Sequence, residues 1–205
     1  MNEVSSSSTT PEQSLIYQPS SIIDRLALNS LFPKPQPLEV ELGSGDGSFI
    51  VQWAALHPER NFLAVERLLG RLRKIDKKGR RAGLQNLRAV RLEAWYLVEY
   101  LLPPGCVSAL HIYFPDPWPK RKHRKNRLIN AAFAEAAARA LASEGVVYLR
   151  TDDPDYFKQM LEVFAAHQNF RPTQTQADLQ GVITDFEREF KKRGVATLSA
   201  AYARI

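Results

Sequence analysis

The sequence predicts a doubly wound α/β fold, a mainly parallel sheet covered by helices with an antiparallel addition near the C-terminus. Three observations predict it. From Leu38 onward, short apolar runs alternate with amphipathic stretches, the pattern of strand–helix–strand units. The first such run ends in a glycine-rich turn. The chain has 205 residues, 44% apolar and 24% charged, which suits one globular domain with a full core. Residues 1–14, rich in Ser and Thr, are set apart as a disordered tail, and residues 15–205 form the domain.

The elements follow in order. Leu15, Ile16, Ile22, Ile23 and Leu26 are expected to form a short helical cover, and Pro33, Pro35 and Pro37 a stiff, non-helical approach. Leu38–Leu42 is a compact strand ending in Gly43-Ser44-Gly45-Asp46-Gly47. Residues 48–56 have helical spacing, with Phe49, Ile50, Trp53 and Leu56 on one side. Residues 61–66 read as the second strand and residues 67–83 as a basic helix closed by Gly83. A third strand over 87–93, a short helix over 95–102 and a fourth strand over 107–114 come next. An alanine-rich helix (128–141), a fifth strand (145–150) and an amphipathic helix (156–167) complete the alternation. Residues 170–177 and 197–203 are expected to pair antiparallel. Right-handed crossovers put every parallel strand's C-terminal end on one edge, so ligand-binding residues are expected just after strands.

Sixteen of the 28 basic residues fall between Arg67 and Arg127, in two clusters, which points to a polyanionic partner. A lone cysteine, Cys106, excludes an internal disulfide and any cysteine-cluster metal site, and no His/Asp/Glu grouping has metal-ligand spacing. No apolar run reaches the roughly 20 residues needed to span a bilayer. With no secretion signal at the N-terminus, the expected location is the cytoplasm, as a monomer or weak homodimer.

The turn over residues 41–47 carries the cofactor expectation. Glycines allow a sharp turn and let a ligand lie against bare backbone. A dinucleotide site prefers Gly-x-Gly-x-x-Gly, and here the third glycine comes one residue early. Glu41, just before the turn, suits a methionyl ammonium better than a pyrophosphate, which favours S-adenosylmethionine. Gly43 and Gly45 then form the cradle. Glu66 ends the second strand, where a carboxylate accepts from ribose hydroxyls. Glu93 stands at the expected adenine position, next to the small Ala94.

The fourth strand runs into Phe114-Pro115-Asp116-Pro117-Trp118-Pro119-Lys120 and then Arg121-Lys122-His123-Arg124-Lys125-Asn126-Arg127. Three prolines make a loop with few conformations to lose on binding, suited to holding a planar base against a methyl donor. Arg121, Lys122, Arg124, Lys125 and Arg127 are the candidate phosphate contacts, aided by the basic helix. Trp118 either stacks on a base or wedges into the sheet edge. His123 either touches phosphate or caps the next helix, and His111, inside a strand, reads as buried structure.

This loop with its basic stretch resembles the signature of the tRNA (guanine-N7)-methyltransferases. The likeness runs from about Leu31 to Gly194 and takes in the turn at Glu41, Glu66, Thr151-Asp152 and Thr184-Asp185-Phe186-Glu187. It implies a Rossmann-like, class I methyltransferase fold that transfers methyl from S-adenosylmethionine to guanine N7 in the tRNA variable loop, at position 46. It implies cofactor-side acids at Glu41, Glu66, Glu93 and Asp116, with Asp116 the catalytic residue. It further implies substrate contacts at Lys120, Asp152, Thr184, Asp185, Phe186 and Glu187. Glu93 departs from the family, which usually has Asp there.

Guanine N7 has an in-plane lone pair and no proton to lose, so the reaction does not require a general base. Asp116 is expected instead to accept from guanine N1–H and the exocyclic amine, orienting the ring and stabilising its developing positive charge. Thr184 and Glu187 are spaced either to face substrate or to act as a helix-capping pair. Two other readings remain: an exocyclic-amino nucleic-acid methyltransferase, against which Trp118 interrupts the required adjacent prolines, and a tRNA-binding module with a vestigial cofactor site.

Overall fold

The computed structural model describes residues 14–205. In chain order it contains β1 (Ile16–Tyr17), β2 (Leu38–Leu42), α1 (Ile50–Leu56), β3 (Asn61–Val65), α2 (Leu69–Arg81) and β4 (Leu87–Val90). Then come α3 (Ala94–Tyr96), which widens into a π-helical turn over Leu97–Leu101, and β5 (Val107–Tyr113). A 3-10 turn (Arg121–Asn126), α4 (Ala131–Ala140), β6 (Leu141–Thr151) and α5 (Pro154–Ala165) follow. The chain closes with β7 (Phe170–Thr173), α6 (Ala177–Gly181), α7 (Asp185–Lys192) and β8 (Leu198–Arg204).

The eight strands lie in the order β1-β4-β3-β2-β5-β6-β8-β7. The first six are parallel, and β8 runs antiparallel between β6 and β7. The expected doubly wound sheet with a closing antiparallel pair is what forms. The chain order reverses direction across β2 and β5, and ligands in such sheets bind at the strand ends beside this switch point.

Strand alternation gives the sheet two different faces. On one, Leu38, Val40 and Leu42 of β2, Leu110 and Ile112 of β5 and Val147 and Leu149 of β6 pack with Phe133 of α4 and Met160 and Phe164 of α5. On the other, Phe62 and Ala64 of β3 pack with Phe49, Ile50 and Trp53 around α1 and with Leu72 and Ile75 of α2. That second face also buries Glu39, Glu41, His111 and Arg150. Neighbouring strands bring these together, because Glu41 lies opposite His111, His111 opposite Tyr148, and Tyr113 opposite Arg150.

Several boundaries differ from expectation. The N-terminal apolar group is not a helical cover. Ile16 and Tyr17 add an edge strand parallel to β4, and Leu15 and Leu26 are buried while Ile22 and Ile23 stay exposed. The cause is a long-range anchor: Asp76 of α2 accepts from the Leu15 N–H at 2.7 Å and from Ser14 Oγ at 3.1 Å. Ser14, expected at the end of the tail, is therefore tied down, and the rest of that tail lies outside the described residues. Leu56 is 60% exposed and leaves the buried side of α1. The third strand stops at Val90, because Glu93 turns its carboxylate to the Tyr96 N–H (2.8 Å) and caps α3. The alanine-rich helix starts at Ala131, where Asn130 caps it through the Phe133 N–H.

Candidate functional site

At the C-terminal ends of β2, β3, β4 and β5 lies a cavity of about 290 Å³. Its lining comes from strand ends and the expected positions just after them: Leu42 and Gly43 at the end of β2, Glu66 to Leu68 after β3, Leu92 to Ala94 after β4, and Tyr113 to Asp116 with Trp118 at the end of β5. Arg71 of α2, Asn126 and Leu128 complete it.

The glycine turn is shaped by backbone geometry. Gly43 and Gly47 have φ of 82° and 80°, a region that side-chain-bearing residues rarely enter. At Gly47 a Cβ would also approach Ile75 Cγ1 to 3.0 Å, so that glycine lets α2 pack against the turn. Glu66 stiffens the same turn from the end of the neighbouring β3, accepting from the Gly45 N–H at 3.0 Å and from the Leu68 N–H at 2.7 Å. Both its oxygens keep lone pairs for further donors.

Glu41 lies beneath the turn, almost fully buried, and its Oε2 has no hydrogen-bond partner. Burial pushes its carboxyl up to about 8, against the opposing pull of Ser44 and Arg150, and Asp46 and Glu66 push the same way as burial. A buried carboxyl with one oxygen unpartnered is a costly element that a cationic ligand would relieve. Asp46 faces away to an ion pair with Lys78 Nζ at 2.7 Å.

The proline-rich loop begins on a strained residue. Phe114 and Trp118 have φ of 52° and 44°, unusual for aromatic side chains and a mark of functional loops. Trp118 lines the cavity, half-buried, with its ring edge-to-face against His123 at 6.0 Å between centroids. Arg127 corrects the expectation of a phosphate contact. It is only 2% exposed; its Nε donates to the Pro117 carbonyl at 2.7 Å, and its guanidinium reaches Gln159 and Asp155 of α5 at 2.8 and 2.6 Å. Arg127 thus holds the loop from behind. Arg121, Lys122, Arg124 and Lys125 remain exposed in front, with Arg124 also paired to Asp155.

Of the expected residues, the cavity brings together Gly43, Glu66, Glu93 and Asp116, with Gly45 and Glu41 adjoining through the turn. Lys120 and Asp152 do not line it. Thr184 and Glu187 form a reciprocal cap at the start of α7: the Glu187 N–H donates to Thr184 Oγ1 at 3.0 Å, and the Thr184 N–H to Glu187 Oε2 at 2.7 Å. Asp185 and Phe186 are exposed beside them. The Asp185 N–H reaches Ser48 Oγ at 3.1 Å, and the Phe186 ring lies 6.2 Å from that of Phe114. The start of α7 therefore bridges the glycine turn and the proline-rich loop.

Sequence reading counted Arg71 only with the basic helix that aids phosphate binding, whereas it lines the cavity, and missed Arg67 there and the buried set around Glu39. Glu39 accepts from Trp53 Nε1 at 2.7 Å, from Arg60 at 2.7 Å and from His111 Nε2 at 2.8 Å, and His111 Nδ1 meets the Tyr113 hydroxyl at 2.8 Å. Because a carboxylate only accepts, His111 Nε2 is the donor to Glu39. The one available signal was Glu39's place among apolar neighbours in β2.

A family model described as "Putative methyltransferase" matches residues 35–200. The tRNA (guanine-N(7)-)-methyltransferase of Chromohalobacter salexigens is 32% identical over 188 residues, covering 88% of this chain and 76% of that protein. The protein of the same name from Sodalis glossinidius is 32% identical over 184 residues, covering 87% of this chain and 77% of that one. Among solved structures, the 16S rRNA methyltransferase KamB is similar with a TM-score of 0.62 at 16% identity, over 86% of this chain and 92% of that chain. The last likeness concerns the fold, that of the class I methyltransferases.

Proposed function

The chain belongs to the tRNA (guanine-N7-)-methyltransferase family, and we propose that the cavity after β2 to β5 holds its methyl donor while the proline-rich loop holds its guanine. The activity is methylation of guanine N7 in tRNA. The finer reading, with S-adenosylmethionine as donor and the variable-loop guanine at position 46 as target, rests on the resemblance of residues 114–127 and on the chemistry of the cavity.

The single observation that carries the donor site is the buried carboxyl of Glu41 behind a glycine turn, with its Oε2 left without a partner. That arrangement fits a cationic amino-acid moiety, and Glu66 at the cavity wall fits a ribose diol. When bound, the donor supplies an electrophilic methyl group. The chain's own residues do the rest. Gly43 and Gly45 bring bare backbone to the ligand, Glu66 fixes the sugar, and Glu93 with Ala94 borders the adenine. Asp116, in the cavity wall and at the tip of the rigid loop, accepts from guanine N1–H and the amine and faces the positive charge that grows on the ring. Asp116→Asn removes that charge and is expected to lower turnover by about 10²-fold at saturating tRNA.

Arg121, Lys122, Arg124 and Lys125, with the exposed cations of α2, form the phosphate-binding face. Lys120, Asp152, Asp185 and Phe186 are assigned to the substrate side, and the expected location is cytoplasmic. Among the described residues no helix is long and apolar enough to cross a membrane. The deciding experiment incubates the protein with methyl-labelled S-adenosylmethionine and bulk unmodified tRNA and identifies the labelled nucleoside. 7-Methylguanosine is the expected product. A label on an exocyclic amine, or no label, would overturn the reading.

A further inference from the structure

Arg150 is a buried cation at the C-terminal end of β6, on the sheet face that also buries Glu39, Glu41 and His111, and beyond its pull on Glu41 the chemistry just described does not use it. Its side chain is almost wholly buried. One guanidinium nitrogen, Nη1, donates to the Val182 carbonyl at 2.8 Å and to Glu187 Oε2 at 3.1 Å. The other, Nη2, donates to the Leu179 carbonyl at 2.6 Å. The plane lies over the Tyr113 ring at 4.4 Å and near Phe49 at 5.9 Å. A planar fork with several fixed donors can serve three acceptors at once, which a lysine ammonium cannot do in the same geometry.

All three acceptors belong to residues 179–187. That stretch leads from β7 into α7 and brings few apolar anchors of its own, chiefly the buried Leu179 and Val182. Glu187 is committed twice, to Arg150 and to the Thr184 N–H, so its carboxylate is not free to meet a ligand. What the stretch presents outward is Asp185, on Ser48 just after the glycine turn, and Phe186, 53% exposed beside Phe114 of the cavity wall.

We propose that Arg150 is a positioning residue for methyl transfer. It pins residues 179–187 to the sheet so that Asp185 and Phe186 stand at the mouth of the cavity, and Glu187 serves that pin and does not touch substrate. The inference rests on the reading of the α7 start as the substrate side. It predicts a specific pattern of damage. The segment loosens while the glycine turn, built on β2, β3 and α2, stays in place, so guanine is presented poorly to a donor that still binds.

The test compares wild type, Arg150→Lys, Arg150→Met and Glu187→Gln in the full chain. Hydrogen exchange reads residues 176–190 against the amides of β2 and β5. Steady-state kinetics with tRNA and calorimetric titration with S-adenosylmethionine read the two sides of the site. In Arg150→Met, exchange in residues 179–187 should rise by about tenfold or more with β2 and β5 unchanged. The specificity constant for tRNA should fall by roughly 10–100-fold, well beyond any weakening of the donor's Kd that follows from losing Arg150's pull on the Glu41 carboxyl. Arg150→Lys, which keeps the charge and folds more readily, should lie between. Adding Glu187→Gln to Arg150→Met should cost little more, because the pair acts as one unit.

Equal losses in donor affinity and tRNA turnover would make Arg150 an ordinary core residue and overturn the proposal. So would unchanged exchange in residues 179–187, or a loss of turnover in Glu187→Gln with none in Arg150→Met, which would put Glu187 on the substrate. A wild-type chain that methylates no tRNA would remove the parent reading first, and the exchange pattern would still decide whether Arg150 holds the segment.

Discussion

The two faces of the sheet are equally buried and differently made. The face under α4 and α5 is apolar throughout, with Val40, Leu110, Ile112, Phe133 and Phe164 in contact. The face under α1 carries a polar stripe of Glu39, Glu41, His111, Tyr113, Tyr148 and Arg150, from adjacent strands at period two. The apolar face contributes packing, which is non-directional and tolerant. The striped face contributes fixed donors and acceptors, costly to bury and therefore tightly specified. It is the striped face that meets the cavity, through Tyr113 in its wall. The chain stabilises itself on one side and wires its site on the other.

The sharpest way to separate the faces is to injure each equally. Phe133→Ala on the apolar face and Glu39→Ala on the striped face should each cost about 3–5 kcal/mol, the first by leaving a cavity and the second by stranding Trp53, Arg60 and His111. Their pH behaviour should differ. Burial alone would raise the Glu39 carboxyl, but His111, Trp53 and Arg60 outweigh it and hold it at about 2. The stability Glu39 contributes is therefore full above about pH 4.5 and is lost as pH falls toward 2. Denaturant unfolding across that window should show a smaller acid-induced loss in Glu39→Ala than in wild type, with Phe133→Ala parallel to wild type. Parallel curves for all three would remove Glu39 from the acid response.

Glu41 should give the next largest effect, in the opposite direction. Its carboxyl is raised to about 8, so the folded chain holds a proton that the unfolded chain loses near 4.5. Its effect favours the fold most below about 4.5, and stability falls as pH climbs from there to about 8. A cationic donor prefers the ionised carboxylate. Affinity for S-adenosylmethionine should then rise by up to about tenfold per pH unit below 8, with a proton released on binding. Calorimetry in buffers of different ionisation enthalpy reads the proton directly. Glu41→Gln should abolish the release and flatten the pH dependence, and a release that persists in the variant would assign the proton elsewhere.

The smallest effect belongs at the edge of the striped face. Thr184→Ala removes one side of the α7 cap and should cost about 1 kcal/mol in thermal unfolding. If the cap matters chiefly for placing Asp185 and Phe186, the loss in tRNA turnover should exceed what that energy alone explains.

Much of this was legible in advance. Period-two and helical spacing located the strands and helices from β2 to α5, because local pattern reports which side is buried. The places of Gly43, Glu66 and Asp116 in the cavity wall were legible, because turn chemistry and strand ends impose residue types directly. Arg127 was not, because nothing in a run of six cations distinguishes the one that a proline carbonyl and Asp155 draw inward. Thr184 and Glu187 were legible as a capping pair, but not as part of a unit with Arg150, which lies 37 residues from Glu187 in the chain.

The sequence by itself determined the alternation of elements, the edge where the cavity opens and the residue types that line it, since these follow from propensity, periodicity and turn stereochemistry. Only the tertiary structure decided that the N-terminal segment is an edge strand, that both acids of β2 are buried, and that Arg150 ties the C-terminal segment to the site. The physical reason is the same in each case. A hydrogen bond between residues distant in sequence leaves no local trace in composition or period, and burying a charge depends on partners that only folding brings within reach.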